Sequence, residues 1–296
     1  MSRTDPMQPV AVVTMVRDDA FFLNAWVRHY GGMFGRENCY VVNHGRGAEV
    51  TKVAEGCNII GIPGDPHKRF DMKRWGLLNN IVTGLRRYYT HVIVGDVDEL
   101  VVWDPGAPGN LKTFLEQRSK GAVITPLGME IIHRVDIEDA PITDHIIGPR
   151  RHARPAPHYS KPCIISCPVK ISRGGHFTQY DKLVAPDPLF LFHLKFCDAG
   201  VYSGVMNQRN EMTKSLAVGE KEASVGRHWF EGFRGEDRAI FEKFSDLRME
   251  DGFNVGFLRK KMHRTFKARK DTGFYQFDRP EYAIQFKLPE RFIGAI

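Results

Sequence analysis

Residues 91–100 read HVIVGDVDEL, and this stretch decides the fold. Its first half is an apolar run of the length and composition typical of a strand that is buried on both faces. The run leads directly into Asp96 and Asp98, with Glu99 next in the chain. Hard cations such as Mg²⁺ and Mn²⁺ prefer oxygen ligands, so paired carboxylates at the end of a buried strand are a recurrent cation site. The stretch therefore predicts a core strand that presents a metal site at one edge of a sheet.

The ninety residues before this stretch alternate between strand and helix patterns. Residues 10–16 (VAVVTMV) are a continuous apolar run, and Asp18 or Asp19 is placed to cap a following helix that Gly31 and Gly32 end. Further strands are predicted at 39–42, 58–62 and 91–94, and helices at 48–54 and 68–89. This alternation predicts an α/β fold with a mixed, mainly parallel sheet and helices on both faces. Ligands bind beyond the carboxyl ends of strands in such sheets, where Asp96 and Asp98 lie.

The chain after residue 100 is less regular. It contains a predicted helix at 111–118, a fifth strand at 122–127 and an apolar strand at 189–194. Residues 133–168 are rich in Pro, His and Arg and are expected to form a long ordered loop or an irregular hairpin. Residues from 198 onward look mainly helical, including 237–247. We therefore expect one domain at residues 1–197, in two parts at about 10–105 and 106–197, and a mainly helical extension at 198–296 that packs on it.

The composition narrows the class of partner. The 42 Lys and Arg residues exceed the 35 Asp and Glu residues, which gives a net charge of +7. The basic clusters at 150–152 and 259–270 do not alternate with aromatic residues as a stacking platform for single strands does, so we expect no nucleic-acid partner. No stretch approaches the roughly 20 apolar residues of a membrane span, and residues 1–9 lack a signal-peptide core. We expect a cytoplasmic protein whose membrane contact, if it has one, is peripheral.

The five cysteines predict reduced thiols rather than disulfides, because they are odd in number and widely spaced. Cys163, Cys167, His193 and Cys197 together offer four ligands of the kind that zinc takes. However, a four-residue spacing on a strand separates the two thiols of the first pair by about 13 Å. A zinc site is therefore disfavoured.

Several short motifs, taken in order, resemble family 2-type GT-A glycosyltransferases of the branch whose acidic motif reads Asp-x-Asp-Glu. These are residues 16–19 (VRDD), 23–30 (LNAWVRHY), 40–45 (YVVNHG), 73–75 (KRW) and 92–100 (VIVGDVDEL). The resemblance covers about residues 10–105. It implies a GT-A (Rossmann-like) fold in which 10–105 binds a nucleotide-sugar and 106–197 binds the acceptor. It further implies transfer, with inversion, from a nucleotide-sugar (first of all a UDP-sugar) to a saccharide or glycolipid acceptor.

The same resemblance assigns roles to residues of this chain. It places Arg17 beside the nucleoside, Asn43 near the base or ribose, Asp96 at the ribose or metal, and Asp98 at the metal. The departures from the family pattern at 18–19 and 43–44 leave the identity of the nucleotide open.

Members of this fold often take a third metal ligand from a late segment, commonly a histidine. His193 is the first candidate and His176 the second, with Mn²⁺ or Mg²⁺ as the metal. Lys195 lies beside His193 and can neutralise a phosphate. We also expect Arg74, on the helix before the fourth strand, to approach the diphosphate, because its planar fork donates two hydrogen bonds.

An inverting transfer needs a carboxylate that deprotonates the acceptor hydroxyl. Glu130, which is predicted to follow the fifth strand, is the first candidate for this catalytic base, with Asp136 and Asp181 as rivals. Asp98 is the other residue expected to take part in catalysis, through the metal.

Three other classes compete with this interpretation. A haloacid-dehalogenase-like phosphohydrolase also uses Asp-x-Asp after a strand, but normally after the first strand. A sugar-nucleotide pyrophosphorylase usually carries a glycine-rich loop after strand one, whereas residues 16–19 contain no glycine. A basic binding protein without catalytic activity would account for the net charge but not for the acidic pair.

Overall fold

Two six-stranded sheets, the helices that cover them and a small hairpin make up the part of the chain that this computed structural model describes, residues 8–64, 69–213 and 237–296. The strands are β1 Gln8–Val16, β2 Cys39–His44, β3 Asn58–Ile62, β4 Tyr89–Val94, β5 Glu99–Trp103, β6 Val123–Ile124, β7 Leu127–Ile132, β8 His152–Pro155, β9 Ile164–Ile165, β10 Leu189–Phe196, β11 Arg248–Glu250, β12 Lys267–Ala268, β13 Tyr275–Gln276 and β14 Ile284–Lys287. The helices are α1 Ala20–Phe34, α2 Ala48–Val53, α3 Phe70–Leu85, α4 Leu111–Glu116, α5 Ala199–Thr213, α6 Asp237–Glu242 and α7 Gly256–Thr265.

The first sheet has the order β3-β2-β1-β4-β9-β6, and its first four strands are parallel. Successive residues of β1 point to opposite faces, and both faces are buried. Val10 and Val12 pack in the cluster that contains α1, whereas Ala11 and Val13 pack in the cluster that contains α3. The predicted α/β architecture, a mainly parallel sheet flanked by helices, is confirmed.

The second sheet has the order β11-β14-β8-β7-β10-β5 and starts where the acidic stretch ends. β5, which the sequence pattern did not predict, begins at Glu99 and runs antiparallel to β10, while β7 runs parallel to β10 on its other side. In this register Glu99 lies opposite His193, and His193 lies opposite Glu130. Three ionisable side chains are thus set side by side across three neighbouring strands.

Two predicted boundaries are wrong for identifiable reasons. α1 continues through Gly31 and Gly32, because Phe34 is buried and prolongs the apolar stripe; the helix ends at Gly35, whose φ is 90°. The predicted fifth strand at 122–127 is instead divided into β6 and β7. Pro126 lies at the division, where a residue without an N–H group cannot continue the hydrogen-bonded ladder. Consequently Glu130 lies inside β7 and does not follow a strand.

The C-terminal segment contributes strands as well as helices. β14 pairs with β8 in the second sheet, and β11 pairs with β14. The predicted helix at 237–247 begins as α6 and continues as a 3₁₀ turn over Lys243–Asp246. A domain boundary at residue 197 stays a prediction. Across the described ranges, no helix combines the length and the hydropathy that a bilayer crossing requires.

Candidate active site at the junction of the two sheets

The acidic segment between β4 and β5 joins the two sheets and is held by its main chain. The N–H of Gly95 donates to the carbonyl of Val13 (3.4 Å), and the carbonyl of Gly95 accepts from the hydroxyl of Thr14 (3.0 Å). The carbonyl of Asp98 accepts from the N–H of Leu194 in β10 (2.8 Å). Since β1, β2, β3 and β4 are parallel, their carboxyl ends lie along the same edge. The segment is thereby anchored to both sheets at the edge where α/β proteins bind ligands.

Asp98, Glu99 and His193 form a compact group of metal-ligating side chains. One ligand atom of each lies within 4.8 Å of the others. Nε2 of His193 is 3.4 Å from Oδ2 of Asp98. Glu99 is 3% exposed, and its Oε2 is buried without a hydrogen-bond partner. An unsatisfied buried carboxylate oxygen is costly, so the arrangement is suited to a further positive ligand.

The carboxylate of Glu130 orients the imidazole of His193 through the ring nitrogen that does not face Asp98. Nδ1 of His193 is 2.8 Å from Oε1 of Glu130, and the ring of Tyr159 stacks on the imidazole at 3.6 Å between centroids. Oε2 of Glu130 in turn accepts a hydrogen bond from Nε of Arg154 (2.6 Å). With one ring nitrogen committed to Glu130, the other faces Asp98. This is the carboxylate–histidine arrangement that fixes ring orientation in metal sites.

The charges of Asp98, His193 and Glu130 depend on one another. Burial acts to lower the pKa of His193, but Asp98 and Glu130 outweigh it and raise the pKa to about 9. Burial acts to raise the pKa of Glu130, but Arg154 and His193 outweigh it and lower the pKa below its ordinary value. Glu130 is therefore ionised at neutral pH and enclosed by two cationic partners.

Asp96 lies among cations and outside the compact group. Its carboxylate forms an ion pair with Arg74 of α3, and its Oδ2 is 3.1 Å from Nζ of Lys161. The Lys161 ammonium is 3% exposed and also contacts Oε1 of Glu99 at 2.5 Å. The motif thus separates its two aspartates: Asp98 joins Glu99 and His193, whereas Asp96 holds Arg74 and Lys161. A metal-ligating role for Asp96 stays a prediction.

Arg17 and Asn43 lie at the carboxyl edge of the parallel strands. Nε and Nη1 of Arg17 are buried without a hydrogen-bond partner, and Nε is 3.7 Å from the carboxylate of Asp18. Asn43 closes a turn, because its amide accepts from the N–H of Gly47 (3.0 Å) and donates to the carbonyl of Gly47 (2.9 Å). The nucleotide-binding roles expected for both residues stay predictions.

Lys195 and His176 lie outside the compact group. The pairing register shifts after His193, and Nζ of Lys195 lies over the rings of Phe196 (5.0 Å) and Tyr202 (5.7 Å). Nδ1 of His176 is 3.0 Å from the carbonyl of His158. Burial, followed by the charges of Lys161 and Arg279, lowers the pKa of His176 to about 3. This histidine is therefore neutral at physiological pH.

The rival acids and the cysteines are also apart from the group. Asp136 forms a bidentate ion pair with Arg134 at 2.8 and 2.6 Å, and Asp181 is exposed. In the described part of the chain, the group of metal-ligating side chains contains no cysteine.

The sequence motifs assigned no role to three residues that the structure brings to this site: Glu99, Tyr159 and Lys161. Glu99 had a signal, since it directly follows the acidic pair and begins an apolar run. Tyr159 and Lys161 had none, because they belong to an irregular segment after β8. That segment reaches the site through the hydrogen bond from the N–H of Gly128 to the hydroxyl of Ser160 (2.7 Å).

Comparisons with known proteins give weak similarities. The chain matches no protein-family model and no curated protein. Mannose-1-phosphate geranyltransferase from Thermus thermophilus aligns at 14% identity with a TM-score of 0.27, over 72% of this chain and 66% of that one, just under two-thirds of its length. An active-site mutant of LgtC aligns at 13% identity with a TM-score of 0.27, over 94% of this chain and 86% of that one. Similarities at this level say nothing about the function of this chain.

Proposed function

We propose that the chain is a metal-dependent GT-A glycosyltransferase that transfers a sugar from a nucleotide-sugar to a saccharide or glycolipid acceptor. A UDP-sugar is the first candidate donor. The observation that carries the proposal is the convergence of Asp98, Glu99 and His193 at the carboxyl end of β4. The sequence resemblance supports the same function.

The three metal-ligating side chains of the compact group fit a divalent cation. Two carboxylates and one imidazole favour Mn²⁺ over Mg²⁺, because Mg²⁺ prefers oxygen ligands throughout whereas imidazole suits transition metals. Asp98, Glu99 and Nε2 of His193 would hold the ion, and Glu130 would keep the imidazole in place. A bound cation of this kind neutralises the charge that develops on a departing nucleoside diphosphate. Ligation by His193 requires loss of its Nε2 proton, so binding of the ion is coupled to pH.

The cationic side chains at the same edge can bind the phosphates of the nucleotide-sugar donor. Arg17 carries two buried N–H groups without a hydrogen-bond partner, and a phosphate oxygen can accept from both. Arg74 and Lys161 are held in place by Asp96. We propose that Asp96 positions these two cations and that Arg74 approaches the diphosphate. Glu130 then acts by orienting His193 and not on the acceptor, because its carboxylate is enclosed by Arg154 and His193.

Incubation with UDP-, GDP- and CDP-sugars plus Mn²⁺, with released nucleoside diphosphate as the readout, tests this function. We expect release from one nucleotide class, loss of release with chelator, and at least a hundredfold loss in Asp98→Asn. Asp187→Asn is the matched control, since this aspartate is 95% exposed and contacts only Arg259 among the ion pairs of the described residues. Release of inorganic phosphate from sugar phosphates would favour the phosphohydrolase instead. Pyrophosphate-dependent formation of a nucleoside triphosphate would favour the pyrophosphorylase.

A further inference from the structure

Two arginines from the C-terminal segment enclose the ring of Phe177. Cζ of Arg279 lies 4.3 Å from the ring centroid, and Cζ of Arg269 lies 4.4 Å from it. Nη2 of Arg279 donates to the carbonyl of His176 (2.7 Å), while its Nε is buried without a hydrogen-bond partner. Within the described ranges, neither guanidinium forms an ion pair with a carboxylate. Both guanidinium groups therefore lie within 4.4 Å of the same ring centroid without a paired carboxylate among the described residues.

This arginine pair is unusual on physical grounds. Arg269 is exposed and Arg279 is half-buried, but the Nε of Arg279 is a buried donor without an acceptor, which costs free energy. Burial, followed by the charge of Arg269, lowers the pKa of Arg279 to about 10, and no carboxylate opposes this shift. An oxyanion would accept from the free Nε and offset both charges, since the fork of a guanidinium matches the oxygens of a carboxylate or phosphate.

The pair lies one loop away from the candidate active site. His176, whose carbonyl Arg279 binds, directly follows the 3₁₀ turn Arg173–Gly175. Gly175 packs so closely that a Cβ there would overlap the ring of Trp75 and lie 3.5 Å from Cδ of Lys161. Lys161 in turn contacts Asp96 and Glu99. A ligand held by the arginines can therefore extend toward the acidic residues.

The arginine pair flanks the β12–β13 hairpin and not the parallel strands. Thr178, next to Phe177, pairs with Tyr275 of β13, so this loop and the β12–β13 hairpin form one unit. Arg17, by contrast, lies at the end of β1 in the parallel sheet. The attachment of the pair to this hairpin, apart from Arg17, is our reason for assigning it to the second substrate.

We propose that Arg269 and Arg279 form an anion subsite that receives a carboxylate or phosphate group of the acceptor. The assignment of this anion to an acceptor rests on the proposed glycosyltransferase function. The proposal predicts an acidic acceptor, either a saccharide that carries a carboxylate or one that carries a phosphate, rather than a neutral sugar.

Calorimetric titration with three probes tests this subsite: methyl β-D-glucuronide, glucose 6-phosphate and methyl β-D-glucoside. We expect one or both anionic probes to bind, more weakly as salt rises, and the neutral probe not to bind. The tighter anionic probe then identifies the source of the charge. Arg269→Gln and Arg279→Lys should each weaken that binding about tenfold or more. Arg118→Gln should not, although its guanidinium also lies over a phenyl ring, that of Phe114 at 5.2 Å.

Three results would overturn the subsite: equal binding of all three probes, no binding of either anionic probe, or unchanged binding in both arginine variants. Arg269 is exposed, so its variant stays informative if Arg279→Lys fails to fold. Displacement of the bound probe by UDP would instead place the arginines in the donor site and contradict the proposal. A titration with UDP and Mn²⁺ on the unmodified chain separates the two hypotheses. If nucleotide binds and no anionic sugar does, the subsite alone fails; if anionic sugar binds and no nucleotide does, the proposed glycosyltransferase fails.

Discussion

At the scale of single residues, the two aspartates of the acidic motif have different surroundings although they are two positions apart. Asp98 shares a compact group with Glu99 and His193, while Asp96 is neutralised by Arg74 and Lys161. The sequence could predict that the pair lies at a strand end. It could not predict this division of roles, because Lys161 arrives from a segment more than sixty residues later.

Metal-binding measurements on variants follow from this division. Asp98→Asn and Glu99→Gln should each weaken Mn²⁺ binding tenfold or more, because each removes a charged ligand. Asp96→Asn should weaken it less, since that carboxylate is already balanced by Arg74 and Lys161. Electron paramagnetic resonance of free Mn²⁺ measures all three affinities. If Asp96→Asn proved the most damaging of the three, Asp96 and not Glu99 would be the ligand.

Glu138 gives a prediction about stability and pH. Its carboxylate accepts from the N–H groups of Arg134 (2.9 Å) and Arg151 (2.6 Å) and contacts Nδ1 of His152 (2.7 Å). Burial acts to raise the pKa of Glu138, but His152 and these N–H groups outweigh it and lower the pKa. A lowered folded-state pKa means that the contribution is present above the ordinary glutamate pKa and is lost as pH falls through the folded value.

Glu138→Gln should therefore lower the free energy of unfolding by about 2 kcal/mol or more at neutral pH. Its unfolding free energy should also depend less steeply on pH in the acidic range than that of the unmodified chain. Denaturant unfolding at several pH values measures both effects, with the exposed Glu116→Gln as the control. An identical acid dependence in Glu138→Gln and the unmodified chain would show that Glu138 does not contribute to the loss of stability in acid.

At the scale of elements, the register of three strands builds the site. β5, β10 and β7 set Glu99, His193 and Glu130 side by side. The apolar pattern at 189–194 was enough to predict β10, because a buried strand has a clear signature. It was not enough to predict β5 or β7, since periodicity does not reveal which strands pair across a hundred residues or that Pro126 divides a run.

A substitution at Gly128 tests how β7 supports the site. A Cβ at this position would overlap the main chain of Tyr159 and Ser160, and backbone atoms cannot move as a flexible side chain can. Gly128→Ala should lower the free energy of unfolding by about 1–3 kcal/mol through overpacking. It should also weaken Mn²⁺ binding, because the displaced segment carries Tyr159 and Lys161.

Gly76→Ala is the matched control in α3, where a Cβ would meet nothing within 4 Å. It should be neutral or raise the free energy of unfolding by up to about 1 kcal/mol, because alanine is the better helix former. Thermal and denaturant unfolding measure both variants. Equal stability of the two alanine variants would show that β7 tolerates displacement of the 156–160 segment.

At the scale of the whole molecule, one edge of a parallel sheet meets a second sheet, and the acidic segment is the connection between them. The alternation of the first hundred residues predicted the four parallel strands of the first sheet, including the edge on which the site lies. The second sheet draws strands from residues 99 to 287, so local pattern could not assemble it. Charge is also unevenly placed: residues 256–296 hold ten Lys and Arg against four Asp and Glu, a net +6 of the chain's +7.

The proposed function requires Asp98, Glu99 and His193 to hold a cation against a nucleotide. Calorimetric titration of UDP, GDP and CDP into the unmodified chain and into Asp98→Asn, each with and without Mn²⁺, measures this requirement. We predict that one nucleotide binds the unmodified chain at least tenfold more tightly when Mn²⁺ is present, and that this gain disappears in Asp98→Asn. Binding that is equally tight with and without Mn²⁺, or a gain that survives in Asp98→Asn, would contradict the proposed function.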